Sequence, residues 1–305
     1  MVTNPQVSVL MAVYNGEIYL REAIDSILNQ TLPDFEFVIV CDPSPDNSLA
    51  IIQSYTDSRI VLINNKDKLG LAESLNLGLK IARGKYVVRM DADDISLPER
   101  LARQTTFMEN HEEVGVCGSW LQIMDFDGDW IRELPVDYEL LKCHFLFGCL
   151  IAHPTVIMRR DLLVKYNLFY NPAFAFAEDY DLWTRCSRHF HLTNQSEVLY
   201  LYRHHAEQAS RSAREQERFS GLVMADELKH LGVTFTDEEM EFHKEISVWR
   251  IPASQSFADK TKLWLEKLVE ANGRTHYYPE PAFSEMVKKR WISICEKCGI
   301  NQFDL

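Results

Sequence analysis

Several features typical of nucleotide-binding and nucleic-acid-binding proteins are missing from this sequence of 305 residues. It has no basic excess, because 45 acidic residues against 32 Lys and Arg give a net charge of −13. A protein that neutralises nucleic-acid phosphates needs such an excess, so we expect no nucleic-acid partner. No G-x-G-x-x-G follows the first predicted strand, and no G-x-x-x-x-G-K-[ST] occurs, which excludes a dinucleotide fingerprint and a P-loop. A nucleotide bound here would therefore be held through carboxylates and a metal.

Long apolar runs and a disulfide pattern are also missing. No stretch approaches the roughly 20 apolar residues that span a bilayer, and residues 1–6 lack the basic residues and apolar core of a secretory signal. Seven scattered cysteines, an odd number, indicate reduced thiols. Cys295 and Cys298 form a lone C-x-x-C, which we interpret as two helix-associated thiols, with a metal or redox site as the alternative. We therefore expect a cytoplasmic protein.

What the sequence does contain is a regular alternation of strand and helix patterns. The predicted strands are residues 7–13, 35–41, 60–63 and 86–90. Residues at helical spacing lie between them, so the pattern predicts an α/β fold with a doubly wound, mostly parallel sheet. Beyond Ser210 the pattern becomes helical. We predict a catalytic domain over 1–210 and a helical C-terminal region over 211–305, interrupted near Asn272-Gly273 and with an apolar face that includes Leu263 and Leu265.

Three carboxylates follow the fourth predicted strand within four positions: Asp91, Asp93 and Asp94. Like charges this close repel one another, and a divalent cation would remove the conflict. Asp91 and Asp93 are two positions apart, so in an extended chain they point to the same side. The pattern favours a Mn²⁺ or Mg²⁺ site at the carboxyl end of the sheet, where ligands of such folds bind. The alternative is a solvated acidic turn that caps the helix after Pro98.

Four ordered segments carry a resemblance to a known family: residues 7–15, the loop at Asp42, Gly78 before residues 82–84, and residues 91–94 with Leu97-Pro98. Over about residues 5–210 the chain resembles family 2 glycosyltransferases. The resemblance implies a GT-A fold and transfer of a sugar from a UDP-sugar donor, with inversion at the anomeric carbon. It also implies a saccharide or lipid-linked saccharide acceptor, as in the synthesis of bacterial surface polysaccharides.

The same resemblance implies roles for individual residues on the donor side. The donor site would comprise Ala12, Tyr14, Asn15, Asp42, Asp91, Ala92 and Arg203. Asp42 would recognise the uracil, Asp91 the ribose and the metal, and Arg203 would neutralise phosphate charge. Asp93 would ligate the cation most directly, with Asp91, and His205 would complete the metal shell or contact the diphosphate. The neighbouring His204 is the alternative to His205.

The chain departs from the family pattern around the nucleobase. Cys41 and Pro43 stand where the family usually has Asp and Gly, and Ala12 replaces a usual proline. Asp42 itself is retained, and capping of the following helix is its alternative role. These departures favour slightly a different class of function, a non-catalytic nucleotide-sugar-binding scaffold with a degenerate GT-A fold.

On the acceptor side, Glu178-Asp179 matches the acidic pair of the family. The resemblance implies that Asp179 is the general base and that Glu178 and His153 contact the acceptor. The alternatives are acidic residues that suit a helix dipole and a partly buried histidine, here at the start of a strand predicted over 151–160. The sequence leaves open whether the protein forms a homo-oligomer or associates peripherally with the inner face of the cytoplasmic membrane.

Overall fold

The computed structural model describes residues 4–125, 128–205 and 213–300. The chain divides into two compact units, one of Met1–Val136 with Ile151–Arg211 and one of Asp137–Leu150 with Ser212–Leu305. The segment Asp137–Leu150 thus groups with the C-terminal helices, whereas the predicted division at residue 210 includes it in the catalytic domain.

The first unit alternates strands and helices in the predicted order. Its strands are β1 Val7–Val13, β2 Phe35–Cys41, β3 Ile60–Asn64, β4 Tyr86–Met90, β5 Ile95–Ser96, β6 Val114–Met124, β7 Trp130–Arg132, β8 Ile157–Arg159 and β9 His191–Arg203. Its helices are α1 Leu20–Leu28, α2 Ser48–Gln53, α3 Leu71–Ile81, α4 Arg100–Asn110, α6 Arg160–Lys165 and α7 Glu178–Cys186, while α5 Tyr138–His144 belongs to the second unit.

Within the described residues, these nine strands form one sheet in the order β3-β2-β1-β4-β8-β6-β9-β5, with β7 paired to β6. The ladders from β3 to β4 and the long β6–β9 ladder are parallel, whereas β8 joins β4 and β6 in antiparallel fashion. The sheet is therefore α/β and mostly parallel, as predicted. All seven residues of β2 are buried, as expected for a parallel strand that is covered on both faces of the sheet.

The predicted strand over 151–160 is wrong in its first half. His153–Thr155 form a 3-10 turn with Pro154 near its start, and the strand itself comprises Ile157–Arg159. The turn is held by hydrogen bonds from two buried side chains of α4. Arg100 Nη2 donates to the Pro154 carbonyl at 2.9 Å and Gln104 Nε2 to the Thr155 carbonyl at 2.7 Å.

Two glycines allow close packing at the start of the sheet. A Cβ on Gly78 would lie 2.1 Å from Leu10 Cδ1, so a larger residue on α3 would require the Leu10 side chain of β1 to shift. A Cβ on Gly84 would lie 2.5 Å from the Ser8 nitrogen. The Gly84 N–H instead donates to Ser8 Oγ at 2.8 Å, and that hydroxyl donates to the buried Glu36 at 2.6 Å. These contacts fix where β4 begins.

The second unit is helical, as predicted. Besides α5 it contains α8 Ala213–His230, α9 Asp237–Ser247, α10 Gln255–Thr275 and α11 Ala282–Cys298. Thr236 and Glu239 form the capping box that begins α9. The predicted interruption at Asn272-Gly273 is wrong, because both residues lie inside α10. Leu263 is also misplaced by the prediction, since its side chain is exposed while Trp264, Leu265 and Leu268 are buried.

No disulfide joins any of the seven cysteines, all of which lie in the described ranges, and Cys295 and Cys298 lie on α11. Among the described residues, no helix combines the length and the apolar character needed to cross a membrane.

Candidate active site

The parallel register brings three strand ends to one edge of the sheet. Val13 of β1 pairs with Cys41 of β2, and Met11 of β1 pairs with Met90 of β4. The residues that follow these strands, among them Asp42 and Asp91, therefore emerge at the same edge, where ligands bind in such sheets.

The acidic residues after β4 form a tight cluster. Carboxylate oxygens of Asp91, Asp93 and Asp94 all lie within 4.8 Å of one another. The Arg89 guanidinium contacts Asp91, and the Asp91 N–H donates to the hydroxyl of the buried Tyr200 at 3.1 Å. Burial, followed by the charges of Asp91 and Asp93, holds the pKa of Asp94 well above its ordinary value. The cluster is thus short of positive charge.

The end of β9 supplies the next contacts to this cluster. The Arg203 N–H donates to Asp94 Oδ1 at 2.8 Å, and Arg203 Nε donates to the Asp93 carbonyl at 2.9 Å. His205 Nε2 lies 2.8 Å from Asp93 Oδ2. The sequence-predicted metal-site residues, Asp91, Asp93 and His205, are therefore brought together with Arg203.

Helix α1 holds the other side of Arg203 and His205. Arg203 Nη2 forms an ion pair with Glu22, and its guanidinium lies 4.4 Å from the ring centroid of Tyr19. The His205 ring centroid is 5.0 Å from that of Tyr19. Sequence reasoning missed Tyr19 and Glu22, because both fit an ordinary amphipathic helix.

The donor set fits a hard divalent cation. Three carboxylates and one imidazole are ligand types that Mg²⁺ and Mn²⁺ accept. In the described part of the chain, the buried Asp94 Oδ2 accepts no hydrogen bond, although a buried polar atom normally has a partner. A bound cation would give Asp94 Oδ2 a partner and would offset the mutual repulsion of the three carboxylates.

Asp42 is anchored differently from the other carboxylates. It is 3% exposed, and it accepts hydrogen bonds from Asn65 Nδ2 at 2.7 Å, from the Gly70 N–H at 2.8 Å and from Ser74 Oγ at 3.3 Å. Gly70 is the N-cap of α3. Asp42 therefore fixes the start of α3, and not that of α2, the helix that directly follows its loop.

The remaining donor-side candidates line the turns after β1 and β4. Tyr14 is 47% exposed, and Lys68 Nζ lies 3.4 Å from its ring centroid. Asn15 has a left-handed backbone with φ 56°, and its N–H donates to Ser44 Oγ at 3.0 Å. Two smaller residues complete the set. Ala12 is half-buried and pairs with Val40 of β2. Ala92 lies close to Gly16, because a Cβ built on that glycine would be 3.5 Å from the Cβ of Ala92.

On the predicted acceptor side, Glu178 and Asp179 form the first turn of α7. Burial, followed by the charge of Asp179, raises the pKa of Glu178 to about 7. Burial also raises the pKa of Asp179, which accepts a hydrogen bond from the Tyr180 N–H at 2.8 Å. Asp181 on the same turn is paired with Arg185 at 2.6 Å. Burial therefore disfavours ionisation of both Glu178 and Asp179, whereas Asp181 is held by its ion pair with Arg185.

His153 lies in an aromatic environment. Its Nε2 is 2.9 Å from the Tyr170 hydroxyl, and its ring is 6.0 Å from that of Trp183, measured between centroids. Burial, followed by the positive charge of Arg89, holds its pKa well below the ordinary value, so the imidazole is neutral. A neutral ring bonded to a phenol can donate or accept toward a hydroxyl group.

Sequence reasoning also missed two buried arginines, Arg89 and Arg100. Arg89 lies within the buried strand β4, and Arg100 begins α4 with its guanidinium 4.8 Å from the Tyr200 ring centroid. A charged residue inside an apolar run ahead of an acidic motif is the signal that points to Arg89.

Comparison with known proteins places these features in a family. The family described as Glycosyl transferase family 2 matches residues 8–166. An uncharacterized glycosyltransferase of Methanocaldococcus jannaschii is 42% identical over 190 residues, which are 60% of this chain and 64% of that relative. The O-antigen biosynthesis glycosyltransferase WbnJ of Escherichia coli is 31% identical over 240 residues, 75% of this chain and 91% of WbnJ.

Solved structures share the fold at low sequence identity. TarS of S. aureus, residues 1–349 in complex with UDP-GlcNAc, has a TM-score of 0.63 at 20% identity and covers 96% of this chain and 88% of its own. The mannosyltransferase PcManGT of Pyrobaculum calidifontis, in complex with GDP-Man and Mn²⁺, has a TM-score of 0.61 at 17% identity, covering 97% of this chain and 88% of its own.

Proposed function

Because this chain belongs to glycosyl transferase family 2, we propose that it is an inverting, metal-dependent enzyme that transfers a sugar from a UDP-sugar. The acceptor is a saccharide or a lipid-linked saccharide. The observation that carries the proposal is the convergence of Asp91, Asp93 and Asp94 within 4.8 Å at the carboxyl edge of the sheet. Membership of a glycosyltransferase family supplies the reaction class, and the cluster supplies a place for a nucleoside diphosphate with its cation.

The donor end of the site is held by this chain's own residues. Asp93, with Asp91 and His205, would hold Mn²⁺ or Mg²⁺, which would neutralise charge that develops on the leaving diphosphate. Arg203 organises these ligands, since it bonds the backbone of Asp93 and the carboxylate of Asp94. We propose that Tyr14, Asn15 and Asp42 face the nucleoside, with Ala12 and Ala92 allowing its close approach to the strands.

The chemical step needs a base at the acceptor. As the acceptor oxygen attacks the anomeric carbon, the Asp179 carboxylate takes the hydroxyl proton, and the bond from the anomeric carbon to the diphosphate oxygen breaks. A single displacement inverts the anomeric configuration and releases UDP. Burial raises the pKa of Asp179, which strengthens it as a base. Glu178 and the neutral His153 would orient the acceptor hydroxyls.

The biological setting is a further part of the proposal. WbnJ is named for O-antigen biosynthesis, and a relative in Bacillus subtilis, 36% identical over 214 residues, is the putative glycosyltransferase EpsE. The relation to WbnJ supports a role in surface-polysaccharide synthesis. We propose that the protein acts in the cytoplasm, at or near the inner face of the membrane.

A turnover assay tests the reaction. Purified protein with Mn²⁺ is offered a panel of UDP-sugars and GDP-mannose with oligosaccharide and lipid-linked acceptors, and released nucleoside diphosphate is measured. We expect release from a UDP-sugar that requires both acceptor and metal. If GDP-mannose is the only donor from which nucleoside diphosphate is released, the donor nucleotide is guanosine diphosphate and not UDP. Nucleotide binding without turnover would favour the non-catalytic nucleotide-sugar-binding scaffold. Absence of nucleotide binding by the folded protein would contradict the proposed donor site, and it is checked first because three protein donors already engage Asp42.

A further inference from the structure

Arg89 is a buried cation in the middle of the sheet. Its side chain leaves β4 and the residue is 3% exposed. In the described part of the chain, its Nε atom has no hydrogen-bond partner. A guanidinium stays charged in proteins, and a buried charge is costly unless it is paired. Because the burial of this charge costs free energy of folding, we expect Arg89 to serve a function.

The backbone around Arg89 is fixed from two directions. Its N–H donates to the Val156 carbonyl at 3.0 Å, and its own carbonyl accepts from Arg100 Nη2 at 2.9 Å. The same Arg100 nitrogen donates to the Pro154 carbonyl at 2.9 Å, next to His153. Arg89 is therefore rigidly placed, and the segment that carries the predicted acceptor contact His153 is tied to the same point.

The carboxylate that Arg89 contacts is Asp91 of the acidic cluster. Asp91 is already positioned through its backbone, because its N–H donates to the Tyr200 hydroxyl at 3.1 Å. The ion pair with Arg89 adds control of the side chain. The carboxylate of Asp91 is thus contacted from its own strand, whereas the carboxylates of Asp93 and Asp94 are contacted from β9 and the residues after it.

The charge of Arg89 also acts on the predicted acceptor side. It opposes the effect of burial on the pKa of Asp179 and of Glu178, lowering both. The charge of Asp91 raises the pKa of Asp179, and the charge of Asp179 in turn raises the pKa of Glu178. Burial raises the pKa of the Tyr170 phenol, which the charge of Arg89 lowers and the charge of Asp179 raises. Arg89 is the cation that these acidic groups share.

We propose that Arg89 is a positioning residue of the transfer reaction: it orients Asp91 for the donor and places one buried positive charge that acts on both the donor-side and the acceptor-side carboxylates. This inference rests on the proposed function. It explains why an arginine stands in a buried strand two residues before the metal-binding motif. An ion pair that serves only to stabilise the fold would not affect donor binding or the pH dependence of turnover.

The test compares Arg89→Lys and Arg89→Met with the wild type and with a control, Arg290→Met. Arg290 is likewise buried, donates to the Ile246 carbonyl at 2.7 Å and lies in the helical unit. Thermal unfolding establishes that each protein is folded. Calorimetric titration of UDP with Mn²⁺ measures donor binding, and the pH dependence of kcat for transfer reports the ionisation of the base.

Lysine keeps the charge but cannot reproduce the geometry of a guanidinium, so we expect Arg89→Lys to lose about tenfold in UDP affinity with an unchanged pH profile. Methionine removes the charge, so the acidic limb of kcat should move to higher pH as the pKa of Asp179 rises. Arg290→Met should change neither quantity. If Arg89→Met does not fold, Arg89→Lys alone decides.

Wild-type UDP affinity in Arg89→Lys, or an unmoved acidic limb in folded Arg89→Met, would overturn the inference and leave Arg89 a structural residue. These outcomes are distinct from failure of the proposed function. If the wild-type protein binds neither UDP nor another nucleoside diphosphate with Mn²⁺ present, the proposed function itself is wrong.

Discussion

His205 Nε2 lies 2.8 Å from Asp93 Oδ2, although the two residues are separated by 112 positions in the sequence. The contact joins the end of β9 to the acidic motif after β4. It places His205 Nε2 and Asp93 Oδ2 side by side in a cluster that is deficient in positive charge. A cation could take both atoms as ligands, and this pair is therefore where metal dependence should be most sensitive to substitution.

Replacement of the two key aspartates should separate binding from chemistry. Asp93→Ala and Asp179→Ala should both abolish transfer, but only Asp93→Ala should weaken metal-dependent UDP binding, because Asp179 acts on the acceptor. Loss of a general base typically costs about 10²–10⁴ in rate. Parallel measurements of kcat and of the UDP dissociation constant check this.

Asp181→Asn is the matched control for the base. Asp181 lies on the same turn of α7 but is paired with Arg185 at 2.6 Å. Asp179→Asn should lose activity, and Asp181→Asn should keep most of it. Near-normal turnover in Asp179→Asn would show that the base is another residue.

Arg203 should be needed for its geometry as well as for its charge. Its Nε donates to the Asp93 carbonyl at 2.9 Å while its Nη2 contacts Glu22. Lysine cannot make both contacts, so Arg203→Lys should raise the concentration of Mn²⁺ needed for half-maximal activity by roughly tenfold. Arg21→Lys, an exposed change next to Glu22 on α1, is the control. Equal metal dependence in both variants would contradict the organising role of Arg203.

The buried Glu178 should make stability depend on pH. Its pKa rises from 4.5 to about 7 in the folded protein, so the folded state binds more protons between these values and stability falls as pH rises through them. The cost is nearly absent at pH 4 and nearly complete at pH 8, where it is on the order of 3 kcal/mol.

Glu178→Gln removes that cost. We expect the variant to be more stable than the wild type in urea at pH 8 and no more stable at pH 4, with exposed Glu112→Gln unchanged at both. A difference that is the same at both pH values would indicate changed packing and not the buried charge.

The glycines at the start of the sheet should be intolerant of a side chain. A Cβ on Gly84 would meet the Ser8 backbone nitrogen at 2.5 Å. Gly84→Ala should therefore destabilise the protein by about 1–3 kcal/mol in denaturant titrations. Gly273 lies inside α10 with open space around its Cβ position, so Gly273→Ala should stabilise by roughly 0.5–1 kcal/mol. A neutral Gly84→Ala would mean that β4 can shift without cost.

Much of the sheet and the acidic cluster could be predicted from the sequence because their signals are local. β4 ends at Met90 as its apolar run does, and Asp91 and Asp93 follow at once. α7 begins at Glu178, which places the acidic pair in its first turn as expected. The comparisons show the family; the roles of the individual residues remain predictions.

What could not be predicted depends on contacts between distant segments. The turn at His153–Thr155 is fixed by Arg100 and Gln104 from another helix, which local strand propensity does not reveal. Asn272 reads as a helix breaker, yet its buried side chain accepts from the Tyr278 N–H at 2.8 Å, and α10 continues through it. The anchoring of Asp42 by Gly70 and Ser74 likewise depends on tertiary structure.

The metal-dependent UDP site is best tested by calorimetric titration of UDP, alongside other nucleoside diphosphates, with Mn²⁺ and with a chelator. We expect binding that is selective for UDP, needs the metal and is lost in Asp93→Ala. Failure of every nucleoside diphosphate to bind the folded protein with Mn²⁺ present, or UDP binding that the chelator leaves unchanged, would contradict that expectation.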